Sequence, residues 1–381
     1  MIPLFEQYPT LQEKLPYVSL GKLPTPVQKL DRLGSELGIR QLYIKRDDLS
    51  GEVYGGNKLR KLEFILGNAL HSKAREVITF GGAGSNHALA TAIYARQVGL
   101  QSISMLMPQP NANYVRRNLL MSHYCGAELH QYGMALESAK SMLLLKIATI
   151  YQFLRHKLKS GHFPHFIPPG GSSSLGVTGF VNAALELKKQ IADGEMLEPE
   201  YVYVACGTMG TAAGLTLGLR AVKLNSRVVP VGVTSEKFAN NRAMIKLIDK
   251  TNSLLHSLDT SFPIFEFTEE DIELRHDYFG KRYAVYTEEG MEAVSLMRER
   301  EGIKLDGTYT GKTMAALIHD ARSGGLQGKV VLFWNTLNSR DFSDAISSVD
   351  YHSLPRVFHR YFEEAVQPLD SEDYTRNLSV R

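Results

Sequence analysis

Gly55-Gly56-Asn57-Lys58-Leu59-Arg60-Lys61-Leu62-Glu63-Phe64 delivers a lysine from a glycine turn into the start of an apolar-periodic segment. Two glycines without Cβ allow a tight turn, and Leu59, Leu62, Phe64 and Ile65 then mark a helix over Lys58–Ala69 that packs on an interior. Lys58 and Lys61 share one face, a turn apart. A lysine held partly out of water loses its proton more readily and can attack a carbonyl to form a Schiff base, while a second lysine one turn on can hold an anion. Two solvated loop charges are the other reading, and only agreement elsewhere in the chain separates the two.

Outward from this stretch, strand and helix patterns alternate. Gln41–Arg46 reads as a strand; Glu76–Phe80, the turn Gly81–Gly84, helix Asn86–Gln97 and strand Ser102–Met107 form a strand–helix–strand unit. Helix Tyr114–Tyr124, strand Glu128–Tyr132 and a long helix Met134–Lys159 follow. After a connector at Pro164–Gly171 the pattern resumes with helix Gly176–Ala192, strand Tyr201–Ala205, helix Thr211–Val222 and strand Val228–Val233. Lys329–Trp334 is a nearly all-apolar late strand of the kind buried in parallel sheets. The alternation predicts an α/β fold of two domains, each a mostly parallel open sheet flanked by helices. A small domain is expected at 50–166 and a large one from 1–49 plus 167–346, with 347–381 a C-terminal extension of unassigned role.

A chain of 381 residues is long enough for a substantial core and an interdomain cleft. Its formal charge of +3 argues for neither nucleic acid nor an anionic membrane surface as partner. The longest greasy run, Met142–Leu154, is broken by Lys146 and too short to span a bilayer. Cys125 and Cys206 make no disulfide framework, His162 and His165 lack a third metal ligand, and the first ten residues show no secretory signal. A cytoplasmic protein without a metal is expected.

Three further segments carry chemistry. Gly207-Thr208-Met209-Gly210-Thr211 lies between a strand and a small-residue helix start. Successive backbone N–H groups at such a junction cradle a phosphate, with the Thr208 and Thr211 hydroxyls as extra donors, although a ligand-free tight turn is the plainer alternative. The loop matches neither nucleotide pattern, GxxxxGK[ST] or GxGxxG. Ser85-Asn86-His87 opens a helix whose free N–H groups can receive a substrate carboxylate, or simply caps it. Asp306-Gly307-Thr308-Tyr309-Thr310-Gly311-Lys312 is a polar turn before helix Thr313–Ala321. An aldehyde-trapping lysine with a phosphate anchor is what pyridoxal 5′-phosphate requires.

In this order the pieces resemble the tryptophan-synthase-like, fold-type II pyridoxal-phosphate enzymes, in the branch of D-cysteine desulfhydrase and 1-aminocyclopropane-1-carboxylate (ACC) deaminase. The resemblance runs from about Leu23 to about Asn338, and its most specific parts are Gly55–Glu63, Gly81-Gly82 with Ser85-Asn86-His87, and Tyr309-Thr310-Gly311-Lys312. It implies that Lys58 carries the cofactor and that Lys61 holds its phosphate together with Gly207, Thr208, Met209, Gly210 and Thr211. Asn86 would hydrogen-bond the phenolic oxygen; Ser85, Asn86 and His87 would line the substrate carboxylate site; Tyr283 and Tyr309 would be the active-site tyrosines. Thr310 would face the pyridine nitrogen, where ACC deaminases carry glutamate, and Thr336 matches the desulfhydrase pattern where deaminases have leucine. Departures are Met209 for glycine in the phosphate loop, Gly84 for glutamine, and Asn335 and Asn338 for histidine and glycine, which imply an altered pocket.

The expected function is that of a pyridoxal-phosphate lyase acting on a small amino acid, by D-cysteine desulfhydrase-like β-elimination to pyruvate, ammonia and sulfide, in a homodimer. ACC deamination to 2-oxobutanoate and ammonia is the alternative, and a non-catalytic homologue that binds the cofactor or an amino acid is a further one.

Overall fold

The apolar runs pair into two sheets in the computed structural model of the protein, which describes residues 1–132 and 139–371, with side chains at all of these except 139–144. The strands are β1 Val27–Lys29, β2 Gln41–Lys45, β3 Glu76–Gly82, β4 Gln101–Met107, β5 Glu128–Gln131, β6 His165–Phe166, β7 Tyr201–Cys206, β8 Arg227–Gly232 and β9 Val330–Trp334. One sheet has the order β1-β2-β9-β7-β8 and is parallel except for the edge strand β1; the other, β5-β4-β3-β6, is parallel throughout.

Helices cover both faces of the larger sheet, which is why β7 and β9 are apolar at successive positions rather than alternating. Val202, Val204, Leu332 and Trp334 pack toward helices Ser174–Ala192 and Gly210–Ala221. Tyr203, Val331 and Phe333 pack toward Asp31–Leu37 and Thr310–Arg322 on the other side. The start of the helix expected from Met134 lies outside the described residues; its described part is Ala139–Ser160. Strand β1 and the helices Asn241–Leu258 and Glu288–Glu301 add to the expected set. No helix among the described residues is long and apolar enough to cross a membrane.

Helix Lys58–His71 lies against Ser174–Ala192 so closely that a Cβ on Gly179 would meet the Arg60 carbonyl oxygen at 2.1 Å. Beneath this contact sits a buried quartet of Lys45, Asp47, Arg60 and Glu186. Arg60 Nε donates to Asp47 Oδ2 (3.0 Å) and Nη1 to Glu186 Oε2 (2.9 Å), while Lys45 Nζ donates to Glu186 Oε1 (2.6 Å). Burial pushes the Glu186 carboxyl up, but Arg60 and Lys45 outweigh it and hold it down at about 2. Two cations and two anions leave the cluster neutral.

Candidate active site

Gly81 and Gly82 at the end of β3, and Gly207 just beyond β7, open onto one cavity of about 550 Å³. Lys58 enters it from the first turn of its helix. Gly56 makes that possible, with φ of +95° and no room for a Cβ, which would meet Thr336 O at 2.8 Å. The loop is tied down on both sides. Gly55 N–H donates to Asn338 Oδ1 (2.7 Å), Asn57 N–H to Thr336 O (3.2 Å), and Asn57 Nδ2 to Thr211 Oγ1 (2.9 Å). The Lys58 ammonium makes no hydrogen bond or ion pair among the described residues, and burial pulls its pKa down to about 8. A substantial fraction is then neutral amine near physiological pH, the form that reacts with a carbonyl.

Lys61 is 1% exposed, and its Nζ has only Gly170 O (3.2 Å) and Ser172 Oγ (3.5 Å) as partners. Burial, and then the charge of Lys58, pull its pKa well below that of an ordinary lysine. Across from it, Thr208 Oγ1 and Ser172 Oγ are hydrogen-bonded at 2.7 Å, and a Cβ on Gly210 would lie 2.9 Å from Lys61 Nζ, so this lysine reaches the loop at the start of helix Gly210–Ala221. His87 is buried beside it with both ring nitrogens unpartnered, its pKa held well down by burial and then by Lys58 and Lys61. A sparsely partnered buried ammonium facing a helix N-terminus fits a phosphate group. Met209 holds φ of +64°, the left-handed region that glycine takes freely, so methionine at this position carries strain of about 1–2 kcal/mol.

Ser85 caps helix Asn86–Gln97 by accepting from Ala88 N–H (3.2 Å) and lines the cavity as well, so both readings of this residue hold in geometry. Asn86 accepts from Asn118 Nδ2 (2.9 Å) through Oδ1, which leaves its own amide N–H groups for the cavity. Opposite them the hydroxyls of Tyr283 and Tyr309 lie 2.5 Å apart. Burial raises both phenol pKa values, so the pair stays protonated at neutral pH and offers protons rather than taking them. Thr336 completes this wall.

Residues 18–336 match the family described as pyridoxal-phosphate dependent enzyme. The chain belongs to this family. A D-cysteine desulfhydrase of Serratia proteamaculans is 36% identical over 81% of this chain and 90% of its own length. A Pyrococcus horikoshii protein, named provisionally as an ACC deaminase, is 35% identical over 86% of this chain and 93% of its own. Among solved structures, an ACC deaminase homologue superposes with a TM-score of 0.72 at 33% identity, covering 91% of this chain and 98% of the other.

In this pyridoxal-phosphate enzyme Lys58, Lys61, Asn86, His87, Tyr283, Tyr309 and the 207–211 loop meet at one cavity or its wall, with Asp306 also on that wall and Thr310 directly behind it. Its helix begins at Thr310 rather than Thr313, and the buried hydroxyl donates to Asp306 Oδ2 (2.9 Å) and accepts from Asp306 N–H (2.8 Å) behind the cavity wall. Asn335 and Asn338 do not line the cavity: Asn335 Oδ1 accepts from Leu337 N–H (3.3 Å), and Asn338 Oδ1 accepts the Gly55 N–H of the lysine loop. The space beside Gly84 is filled by Val115, Tyr114 and Gln109, and Gln109 Oε1 accepts the Gly84 N–H (2.9 Å).

Further residues brace the site. Asp306 accepts from the Thr308 (2.8 Å) and Tyr309 (2.7 Å) N–H groups and so fixes the turn that aims Tyr309. Ser172 and Gly170 hold Lys61; the run Pro168-Pro169-Gly170-Gly171-Ser172 was the available signal, a second glycine turn facing the first. Among the described residues no cluster suited to a metal ion occurs.

Proposed function

We propose that this enzyme removes a β-thiolate from a small amino acid, D-cysteine foremost, giving pyruvate, ammonia and sulfide. Bound pyridoxal phosphate supplies an electron sink for the pair released at Cα. Lys61 and the amides of the 207–211 loop hold its phosphate, and Lys58 carries it and afterwards takes the Cα proton. Ser85, Asn86 and His87 receive the substrate carboxylate, while Tyr309, kept protonated beside Tyr283, donates to the departing thiolate.

The observation that carries this reading is the state of position 310. Threonine there is bonded to Asp306, and the Asp306 carboxylate already accepts from three backbone N–H groups and that hydroxyl. The resemblance puts this position at the ring nitrogen, and it offers no carboxylate beyond Asp306, whose oxygens are engaged by its own turn. The sink is weaker, which suits loss of a good leaving group better than opening of a cyclopropane ring. The relatives named as desulfhydrases support the same choice. The division into a 50–166 domain and the remainder, a cytoplasmic location supported by two free cysteines, and assembly as a homodimer complete the proposal.

Purified protein incubated with D- and L-cysteine and ACC, with sulfide, ammonia and 2-oxo acid measured together, tests it. D-cysteine should give all three products with the higher kcat/KM, and Lys58→Ala should lose both turnover and the visible absorbance of the bound cofactor. A kcat/KM ratio favouring ACC would replace this reading by deamination to 2-oxobutanoate.

A further inference from the structure

Gln367 of the C-terminal extension is hydrogen-bonded to the segment that follows Tyr283. The extension's buried Tyr361 accepts the Gln109 N–H (3.1 Å), and its Asp370 accepts the Asn113 N–H (2.5 Å), so residues 361–370 are laid along the segment that follows β4. Gln367 sits between these anchors, with its own N–H donated to Asn111 O (3.0 Å). Its carboxamide then crosses to the segment after Tyr283: Oε1 accepts from Tyr286 N–H (2.8 Å) and Nε2 donates to Ala284 O (3.1 Å). Ala284 is 1% exposed and holds φ of +62°, a conformation that a residue with a Cβ adopts only under constraint. That backbone turn points Tyr283 at the cavity while Tyr286 enters the core with Leu354, Phe358 and Tyr361.

We propose that Gln367 is a positioning residue: its two hydrogen bonds hold Ala284 left-handed and thereby keep the Tyr283 hydroxyl on that of Tyr309. Gln367 touches neither the cavity nor the reacting atoms and acts through the backbone of 284–286. The proposal rests on the reading above insofar as the tyrosine pair serves turnover.

The holoenzyme is compared with its Gln367→Ala and Gln367→Glu variants by hydrogen–deuterium exchange and by steady-state kinetics with D-cysteine. In Gln367→Ala the Tyr286 amide should exchange at least about tenfold faster, and kcat should fall about tenfold with KM changed less than about twofold. Gln367→Glu, which keeps the acceptor but loses the donor, should fall between. Adding Ala284→Gly to Gln367→Ala should restore most of kcat, because glycine holds a positive φ without a clamp. Adding Gln367→Ala to Tyr283→Phe should cost little more than Tyr283→Phe alone. Unaltered exchange at Tyr286, an unaltered kcat, or failure of Ala284→Gly to restore it would each overturn the proposal. If the parent turned over none of the amino acids, the proposed function would fall instead, and the exchange measurement would still decide the clamp.

Discussion

Replacing Lys61 by methionine keeps most of the stem and removes the ammonium that faces the phosphate loop. A hydrogen bond to a charged group contributes about 1.5–3 kcal/mol, which is about 10- to 150-fold in the dissociation constant of pyridoxal phosphate. Two features of the site place the effect in the lower part of that range. The contacts of Nζ to Gly170 and Ser172 are long, at 3.2 and 3.5 Å, so little else is lost with it. Burial and Lys58 hold its pKa well below the ordinary value, so part of the population must take up a proton before it can pair with an anion. The same feature gives a sign with pH. Phosphate binding favours the charged form, so the contribution of Lys61 is full at low pH and shrinks as pH rises through its depressed pKa in the cofactor-free protein. Titrating cofactor-free parent and Lys61→Met proteins by visible absorbance should show the variant weaker by roughly 10- to 50-fold near neutrality, with a smaller ratio at pH 8.5 than at 6.5. The ionisation of the free cofactor's phosphate is common to both titrations and cancels in the ratio. Dissociation constants within threefold of each other at both pH values would refute the assignment of Lys61 to the phosphate.

Arg60→Met leaves Asp47 and Glu186 facing Lys45 alone, and should cost about 3–5 kcal/mol in denaturant unfolding of the cofactor-free protein; a change under about 1 kcal/mol would contradict the picture of the quartet. Tyr309→Phe should keep the cofactor spectrum while kcat falls about 10²- to 10⁴-fold, and full activity would return Tyr309 to a packing role. Thr310→Glu brings a second carboxylate against Asp306 in a buried turn, so it should lower the melting temperature, whereas Thr336→Leu on the cavity wall should not; equal melting temperatures for the two would remove Thr310 from its place behind the wall.

The parallel sheets were legible because burial on both faces writes itself as unbroken apolar runs, as in Val202–Ala205 and Val330–Trp334. Lys58, Lys61 and the 207–211 loop were legible only together: each alone has a plainer use as a solvated charge or a tight turn, and it is their combination with the Ser85 and Tyr309 segments in one chain that points to a single site. Strand β1 carries one partly buried apolar residue, Val27, and so has no period to read. Helix Asn241–Leu258 does carry a sequence signal, in its Asn240 cap and in Met244, Ile248 and Leu255 on one face. The placement of Thr310 depended on the first turn of its helix, one residue in either direction of which decides whether a hydroxyl meets solvent or Asp306. The extension past Ser347 had no readable role because Gln367, Asn111 and Arg116 act by side-chain bonds to distant backbone, which leave no periodicity in the chain.

The quartet under the Lys58 helix also bears on how sharply the reactive lysine is placed. Its members come from β2, the turn after it, the Lys58 helix and the Ser174–Ala192 helix, and Trp334 of β9 donates to Asp47 (2.7 Å) to close the ring. A half-formed cluster leaves a naked charge in a dry interior, which makes partial docking of the Lys58 helix worse than either full docking or none. The amine is therefore set by a switch rather than a slope: where small apolar contacts would let its helix slide by fractions of an ångström, four interlocked charges admit one seating.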